Sequence, residues 1–490
     1  MTADIDTNTH STQRAGTDAH AITFTVALAV LGVFVTYVPI NAVSVALAQI
    51  GASTAASTSD LQWISDGFVI PVAAAVLSAG LFGDLYGRRR IFLSGMAFIL
   101  VGATVAALSD AASGDDAIHI LWFGQALSGL GAGLLLPTTL ALIAHVVPNP
   151  AKRGKYIGIW ATGLLLGLAV GPLISGVILD HASYGWIFAP TIGLAAIAGV
   201  TAAARLPESK APDGRRLDWP GQFTGTLAIA ASIFGVIEGG EKGWSSAATV
   251  TGLIVGGAAF VAFVAVELRS PSPVVDLRLF RSAVFAAAGA AAMVALFSVV
   301  GATFLLSLFL ANVQHLSALQ IGLRLLLIFG VAAAINPVIG LLLSRAKPIY
   351  VLAIGLALSA VGIFLLRAVE ADTSTLDLGW RLGVFGIAVG LILTTVSVTA
   401  VNAVPWQLAG MAAATNTAMR QYGAALGPAV LGAIYVDRIN GDASPTSAIH
   451  AALLVNGILL TAAAIGCLLV AIRSKFRSQS SGVIVLIDAW

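Results

Sequence analysis

The side chains able to do chemistry are few, and they lie inside long apolar stretches. Arg420, with Asn416 and Gln421 nearby, falls about ten residues into an apolar run covering about 411–435. At 1.5 Å per helical residue that depth is roughly 15 Å, the middle of a bilayer. Asp66 falls about one turn into another run, about 62–83, and is the one carboxylate clearly inside such a run. An ionisable side chain near the centre of a spanning helix costs roughly 2.5–3.5 kcal/mol on insertion scales, so it faces water, cargo or a partner. A carboxyl near a membrane face can take up and release a proton, which makes Asp66 the leading proton carrier. Capping the start of its helix is the alternative use of the same group. The guanidinium of Arg420 stays charged at any physiological pH and cannot carry the proton itself. It can hold an anionic or hydrogen-bond-accepting part of a cargo, keep a carboxylate ionised until protonation releases it, or tie down a neighbouring helix. Proton coupling is therefore expected to rest on Asp66 and Arg420.

Uncharged polar groups at comparable depths are Tyr37, Asn41, Gln125, Trp160, Asn336 and Asn402. Together with Asn416, Arg420 and Gln421 they form the expected lining of a substrate cavity, although an aromatic or amide side chain in a span serves helix packing as well. Arg324, one turn into a run over about 321–343, can pair with an acid at the outer face and help close a gate, or snorkel to the interface. The chain carries no phosphate-binding loop, no HExxH, no nucleophile elbow and no Cys or His spacing suited to a metal. These absences argue against an enzyme, a primary pump, a metal or a cofactor. The single cysteine, Cys467, excludes an intrachain disulfide.

The elements that must position these groups follow from composition. Of 490 residues 58% are hydrophobic and 10% charged, with a mean hydropathy of +0.95, whereas soluble domains carry about 25% charged residues. The bilayer is the main solvent for such a chain. A net charge of +2 gives no basis for nucleic-acid binding. Apolar runs long enough to cross a membrane occur at about 22–48, 62–83, 91–109, 118–143, 155–179, 185–204, 220–238, 247–267, 283–310, 321–343, 349–369, 379–402, 411–435 and 449–472. Fourteen spans are thus expected. Basic residues collect in one set of connections, including Arg88, Arg89, Arg90, Lys152, Arg153, Arg205, Lys210, Arg278, Arg281 and Arg345, and acids in the other, including Asp60, Asp110, Asp115, Asp116, Glu370 and Asp372. Basic connections stay in the cytoplasm, which places both termini there, in the inner (plasma) membrane. The first twenty residues, with three acids and one arginine, do not read as a cleaved leader.

The chain also repeats itself. Val170-Gly171-Pro172-Leu173-Ile174-Ser175-Gly176 in the fifth span matches Leu426-Gly427-Pro428-Ala429-Val430-Leu431-Gly432 in the thirteenth at an offset of 256 residues. Spans one to six then correspond to spans nine to fourteen, a duplication common in transporters. The expected organisation is an N-terminal tail (1–21), a six-helix bundle (22–206), a linker with spans seven and eight (207–270), a second six-helix bundle (271–475) and a C-terminal tail (476–490).

Between spans two and three the chain reads Gly80-Leu81-Phe82-Gly83-Asp84-Leu85-Tyr86-Gly87-Arg88-Arg89-Arg90. Gly80 and Gly87 allow close helix approach and a tight turn, and Asp84 sits at a helix end beside three arginines. This resembles the cytoplasmic signature of the major facilitator superfamily. Leu61-Gln62-Trp63-Ile64-Ser65-Asp66-Gly67-Phe68, Gly171-Pro172, Leu217-Asp218-Trp219-Pro220-Gly221 and Val275-Asp276-Leu277-Arg278-Leu279-Phe280-Arg281 narrow the resemblance to its fourteen-span drug:proton antiporters. The likeness implies an all-α major facilitator fold, two six-helix bundles plus a two-helix linker hairpin. It implies a gating role for Gly80, Asp84, Gly87, Arg88 and Arg89, with Arg324 added from its position. It implies an antiporter motif in Gly163, Gly167, Gly171, Pro172 and Gly176, whose small residues pack the fifth helix tightly and limit ion leak. The sequence departs from the family in having no acid in span one and, before Gln125, no span-four arginine. Proton coupling then needs other groups. The expected activity is proton-coupled export of small amphipathic compounds by a monomer in the lipid bilayer, its partners being a small-molecule substrate and protons. An uncoupled uptake carrier or uniporter of the same fold is the alternative, and a non-transporting membrane sensor or channel is the alternative of another class.

Overall fold

The computed structural model describes residues 4–147, 150–210, 218–404 and 408–487. Residues 1–3, 148–149, 211–217, 405–407 and 488–490, which include part of the expected 207–270 linker and the ends of both expected tails, lie outside the described residues. Among the described residues the chain forms fourteen α-helices, three short 3₁₀ turns and no strand. The helices are α1 (Asp4–Thr54), α2 (Thr58–Tyr86), α3 (Arg88–Leu108), α4 (Gly114–Val146), α5 (Pro150–Leu179), α6 (Ala189–Arg205) and α7 (Trp219–Lys242). They continue with α8 (Ala247–Arg269), α9 (Ala283–Asn312), α10 (Ala318–Arg345), α11 (Pro348–Arg367), α12 (Thr375–Asn402), α13 (Ala409–Asn440) and α14 (Pro445–Ile487). A bilayer leaves no water for open backbone groups, so helices are the form such a chain takes. Their ends are closed by side chains: Ser57 and Asp60 cap α2 reciprocally, as Ser317 and Gln320 cap α10, and Asp218 accepts from the Gly221 N–H at the start of α7.

Among the described residues twelve helices are each long and apolar enough to cross a membrane, and α2, bent by 54° between Val76 and Ser78, makes thirteen if counted as one. This differs from the fourteen apolar runs expected. The remaining helix is α13, which carries Thr415, Asn416, Thr417, Arg420 and Gln421 in its first half; these polar residues lower its hydropathy while leaving it helical. The helices α1 and α14 also run on beyond their apolar parts, Ala21–Thr54 and Pro445–Ser474, into the regions expected as tails.

Packing divides the helices into two sets. Within the first six, α3 lies on α4 through Gly95 against Gly131 and Gly102 against Gly124 and Ser128, an approach only small residues allow. Within the last six, α9 and α13 meet through Gly301 and Gly427. The sets touch most extensively along two seams, α5 with α10 and α2 with α13, and α1 also lies against α9. Both seams are tight at the far end, where α2 and α10 begin and α5 and α13 finish. There a Cβ on Gly176 would strike the α10 backbone at Leu319, and one on Gly322 would strike Pro172. Toward the end bearing the termini, Gly158 of α5 and Gly340 of α10 meet nothing within 4 Å among the described residues. The remaining pair, α7 and α8, pack together through Gly235, Gly252 and Gly256, and α7 alone lies on α2 and α13.

Candidate functional site

Arg420 is a buried cation. The α13 helix carries it inward, buried, with Nη1 3.5 Å from the Ser397 hydroxyl of α12. The Tyr37 hydroxyl of α1 faces the same guanidinium from the first helix set. Its Nε has no hydrogen-bond partner, and no acid pairs with it among the described residues. The site thus holds a desolvated cation with bonding capacity to spare, at a point where the two helix sets meet. Neighbouring Asn416 bonds the Ala288 carbonyl of α9 at 3.4 Å, and Gln421 is buried in α13.

Closer to the far end lies a narrow cavity of about 10 Å³, which is the room of a single water. Its polar wall is Ser44, Ser65 and Gln125 from the first set; Val300 and Phe304 of α9 face them. Gln125 donates to the Ile64 carbonyl at 3.3 Å and leaves its own oxygen without a partner. Three of the other groups expected in a cavity bond within their own helix set. Asn41 donates to the Leu168 carbonyl of α5 at 2.9 Å, the Trp160 indole to the Thr139 hydroxyl of α4 at 3.0 Å, and Asn336 accepts from Thr394 of α12 at 2.8 Å. Asn402 is exposed at the C-terminal end of α12.

Asp66 is more enclosed than its place near a helix start suggests. It is 0% exposed, and neither carboxyl oxygen has a partner. Gln62, one turn earlier on the same face of α2, is 1% exposed and equally without partners on both amide atoms. Gln62 is enclosed by α13: its amide occupies the place where a Cβ on Gly432 would stand. Gln62 and Gly432 each fall in a stretch the linear reading singles out, but their pairing has no signal there, because it is made by helices hundreds of residues apart.

The α5 glycines face two ways. Gly163, Gly167 and Gly171 admit the α1 backbone and side chains at Val30, Phe34 and Val38, whereas Gly176 admits α10 across the seam. Pro172 has no N–H, so the Leu168 carbonyl one turn earlier loses its helical partner. The Asn41 amide replaces it, and Ser175 donates to the Ala42 carbonyl at 2.8 Å beside it.

At the opposite end, Asp84 bonds Arg88 at 3.0 Å within its own loop. Gly87 has φ of +106°, and a Cβ there would run into the Glu208 carboxylate. Glu208 follows α6; it accepts from the Arg89 N–H at 3.1 Å and lies 3.8 Å from Arg90 Nε. The Arg89 guanidinium reaches the Ala203 carbonyl. Gly80 meets only Pro137, at 3.9 Å. Glu208 is the residue of this loop network that the Gly80–Arg90 spacing does not contain. Arg324, read as either pairing with an outer acid or snorkelling to the interface, donates to the Thr375 hydroxyl at 2.8 Å and the Gln320 carbonyl at 3.0 Å. It thereby joins α10 to α12 rather than one helix set to the other.

A family model described as the Major Facilitator Superfamily matches residues 29–428. The chain is 32% identical over 417 residues to the multidrug resistance protein Stp of Mycobacterium tuberculosis (strain CDC 1551 / Oshkosh), covering 85% of this chain and 76% of that one. It is 29% identical over 418 residues to the tetracenomycin C resistance and export protein of Streptomyces glaucescens, with the same coverage. In fold it is similar to a crystallised POT family transporter in complex with a thioalcohol-conjugated peptide, at a TM-score of 0.67 and 16% identity over 93% of this chain and 96% of that one. The chain belongs to the major facilitator superfamily and is a multi-pass membrane transporter with drug-efflux and drug-resistance relatives.

Proposed function

We propose that this member of the major facilitator superfamily exports small amphipathic compounds in exchange for protons, by alternating access. Export is supported by relatives named for multidrug resistance and for resistance and export. The basic connections place the end bearing the termini in the cytoplasm and the far end outside, in the inner (plasma) membrane. In this reading the polypeptide crosses fourteen times and acts as a monomer, α1–α6 and α9–α14 are the two moving bundles, and α7–α8 is a linker outside the cavity. Gly80, Asp84, Gly87, Arg88 and Arg89, with Glu208, bias the cytoplasmic gate.

The observation that carries proton coupling is Asp66, enclosed at the closed far end with neither oxygen partnered. An ionised carboxylate enclosed without a counter-charge is costly, so outer closure over Asp66 takes a proton with it. Cargo sits between Tyr37, Gln125 and Arg420. The guanidinium, which has no acidic partner among the described residues, holds an anionic or hydrogen-bond-accepting part of it, and the apolar wall around Phe304 takes the rest.

The test is transport by purified protein in vesicles carrying a pH gradient, with a panel of anionic, neutral and cationic amphipathic compounds. Asp66→Asn is expected to abolish uphill transport while downhill exchange persists, and Arg420→Ala to weaken apparent affinity more than Arg420→Lys. Uphill transport by Asp66→Asn with an unchanged pH dependence overturns the coupling assignment.

A further inference from the structure

We infer that Gln62 and Gly432 form the latch of the outer gate, a seal that closes because residue 432 has no side chain and that opens readily because the Gln62 amide is enclosed with nothing to bond. The inference deepens the alternating-access reading and rests on it. Three observations carry it. The Gln62 amide lies where a Cβ on Gly432 would stand, so α2 and α13 could not come this close with any other residue at 432 unless the amide moved. Gln62 is 1% exposed, and neither its oxygen nor its nitrogen has a partner. Asp66, one turn further in on the same helix face, is 0% exposed and likewise without partners.

A primary amide carries two donors and an acceptor with two lone pairs. In water all are satisfied; at this seam none is. The free-energy difference weighs against the closed state, because the amide regains its hydrogen bonds as α13 moves away. At the corresponding place on the seam between α5 and α10, Gly176 meets the backbone of Ala318 and Leu319 and not a side-chain amide. The latch therefore acts on one of the two seams, and its release is what brings water to Asp66.

The experiment reads opening directly and needs neither substrate nor proton gradient. Ser65→Cys, in a Cys467→Ala background, places a thiol on the narrow cavity behind the seam, and its rate of modification by a membrane-impermeant maleimide from the outer face reports opening. Gln62→Leu keeps the volume and removes the amide, so the closed state gains and the rate is expected to fall by about five- to tenfold. Gln62→Met, closer in shape to glutamine, is expected to act in the same direction and covers the case of a Leu variant that does not fold. A rate that is unchanged or faster in the folded variants, with the parent modified normally, overturns the latch alone. A parent that is never modified from outside overturns the alternating-access reading and the latch with it.

Discussion

Gly176 in α5 and Gly432 in α13 stand 256 residues apart, at matching places in the repeat, and each lets a helix of the other set come close. What they admit differs. Gly176 receives main chain, the Ala318 carbonyl and the Leu319 Cα; Gly432 receives the end of a flexible amide, Gln62. The prolines near them diverge in the same sense. The carbonyl that Pro172 deprives of its partner, Leu168, is taken by Asn41. The carbonyl Pro428 deprives in the same way is that of Ala424, and the α9 residue in the place of Asn41 is Val300, because Gly427 meets Phe297 and Gly301 as Gly171 meets Val38 and Ala42. Among the described residues no side-chain hydrogen bond ends on Ala424. The hairpin also sits on one seam only: Gln222 of α7 bonds Ser78 and the Ala74 carbonyl of α2, and Ser232 bonds the Tyr422 hydroxyl of α13 at 3.1 Å. Duplicated geometry has kept the close approaches in both halves, while polar satisfaction has been completed at α5 and left open along α2–α13. The seam with unsatisfied groups is the one on which a change of state gains most from water.

The largest effect expected from breaking this comparison comes at the glycines themselves. A methyl at Gly176 meets backbone that cannot swing aside, whereas one at Gly432 meets a side chain that can. Overpacking costs about 1–3 kcal/mol, so Gly176→Ala should lower transport about tenfold or more. Gly432→Ala should do so less and be restored by adding Gln62→Ala, which offers no relief to Gly176→Ala. Equal losses, or rescue of both, would erase the distinction. A smaller effect is expected at Asn41. Asn41→Ala leaves the buried Leu168 carbonyl unpaired, a loss of about 1–3 kcal/mol that should appear as a lower melting temperature of the purified protein. An unchanged melting temperature would mean that the carbonyl has another partner. The smallest concerns the rim of the α5–α10 seam, where the Asp180 carboxylate accepts from the Leu319 N–H at 3.4 Å at the start of α10. Such an exposed charge at a helix start is worth about 0.3–1 kcal/mol, so Asp180→Asn should change maleimide access to Ser65→Cys by less than about fivefold. A larger change would make the rim, not the glycine contact, the control point of that seam.

Much of this was legible in the linear chain. Run lengths and charge placement gave the membrane class and the helical class, and the Gly-Pro repeat gave the correspondence between α5 and α13. The Gly80–Arg90 loop was legible as a cluster, but Glu208 was not, because it enters the loop from the end of α6. Asp66 was legible as a carboxyl in an apolar run, and its full enclosure was not. For Arg324 the linear reading left an acidic partner and the interface both open, and its contact with Thr375 was not legible, since a run of residues reveals that a cation needs partners without saying which helix stands opposite.

What the sequence determined by itself is what depends on sums along the chain: how many residues in a row are apolar, where the charges interrupt them, and where a pattern recurs. In a bilayer those sums decide that the backbone must be helical, because no other local form satisfies its polar groups. Only the tertiary structure decided the rotation of each helix about its own axis. A turn of 100° per residue separates Ser65, on the cavity wall, from Asp66, on the Gln62 face of α2. That angle is set by contacts with helices hundreds of residues away, such as Gly432 on Gln62, and no local run of residues specifies it.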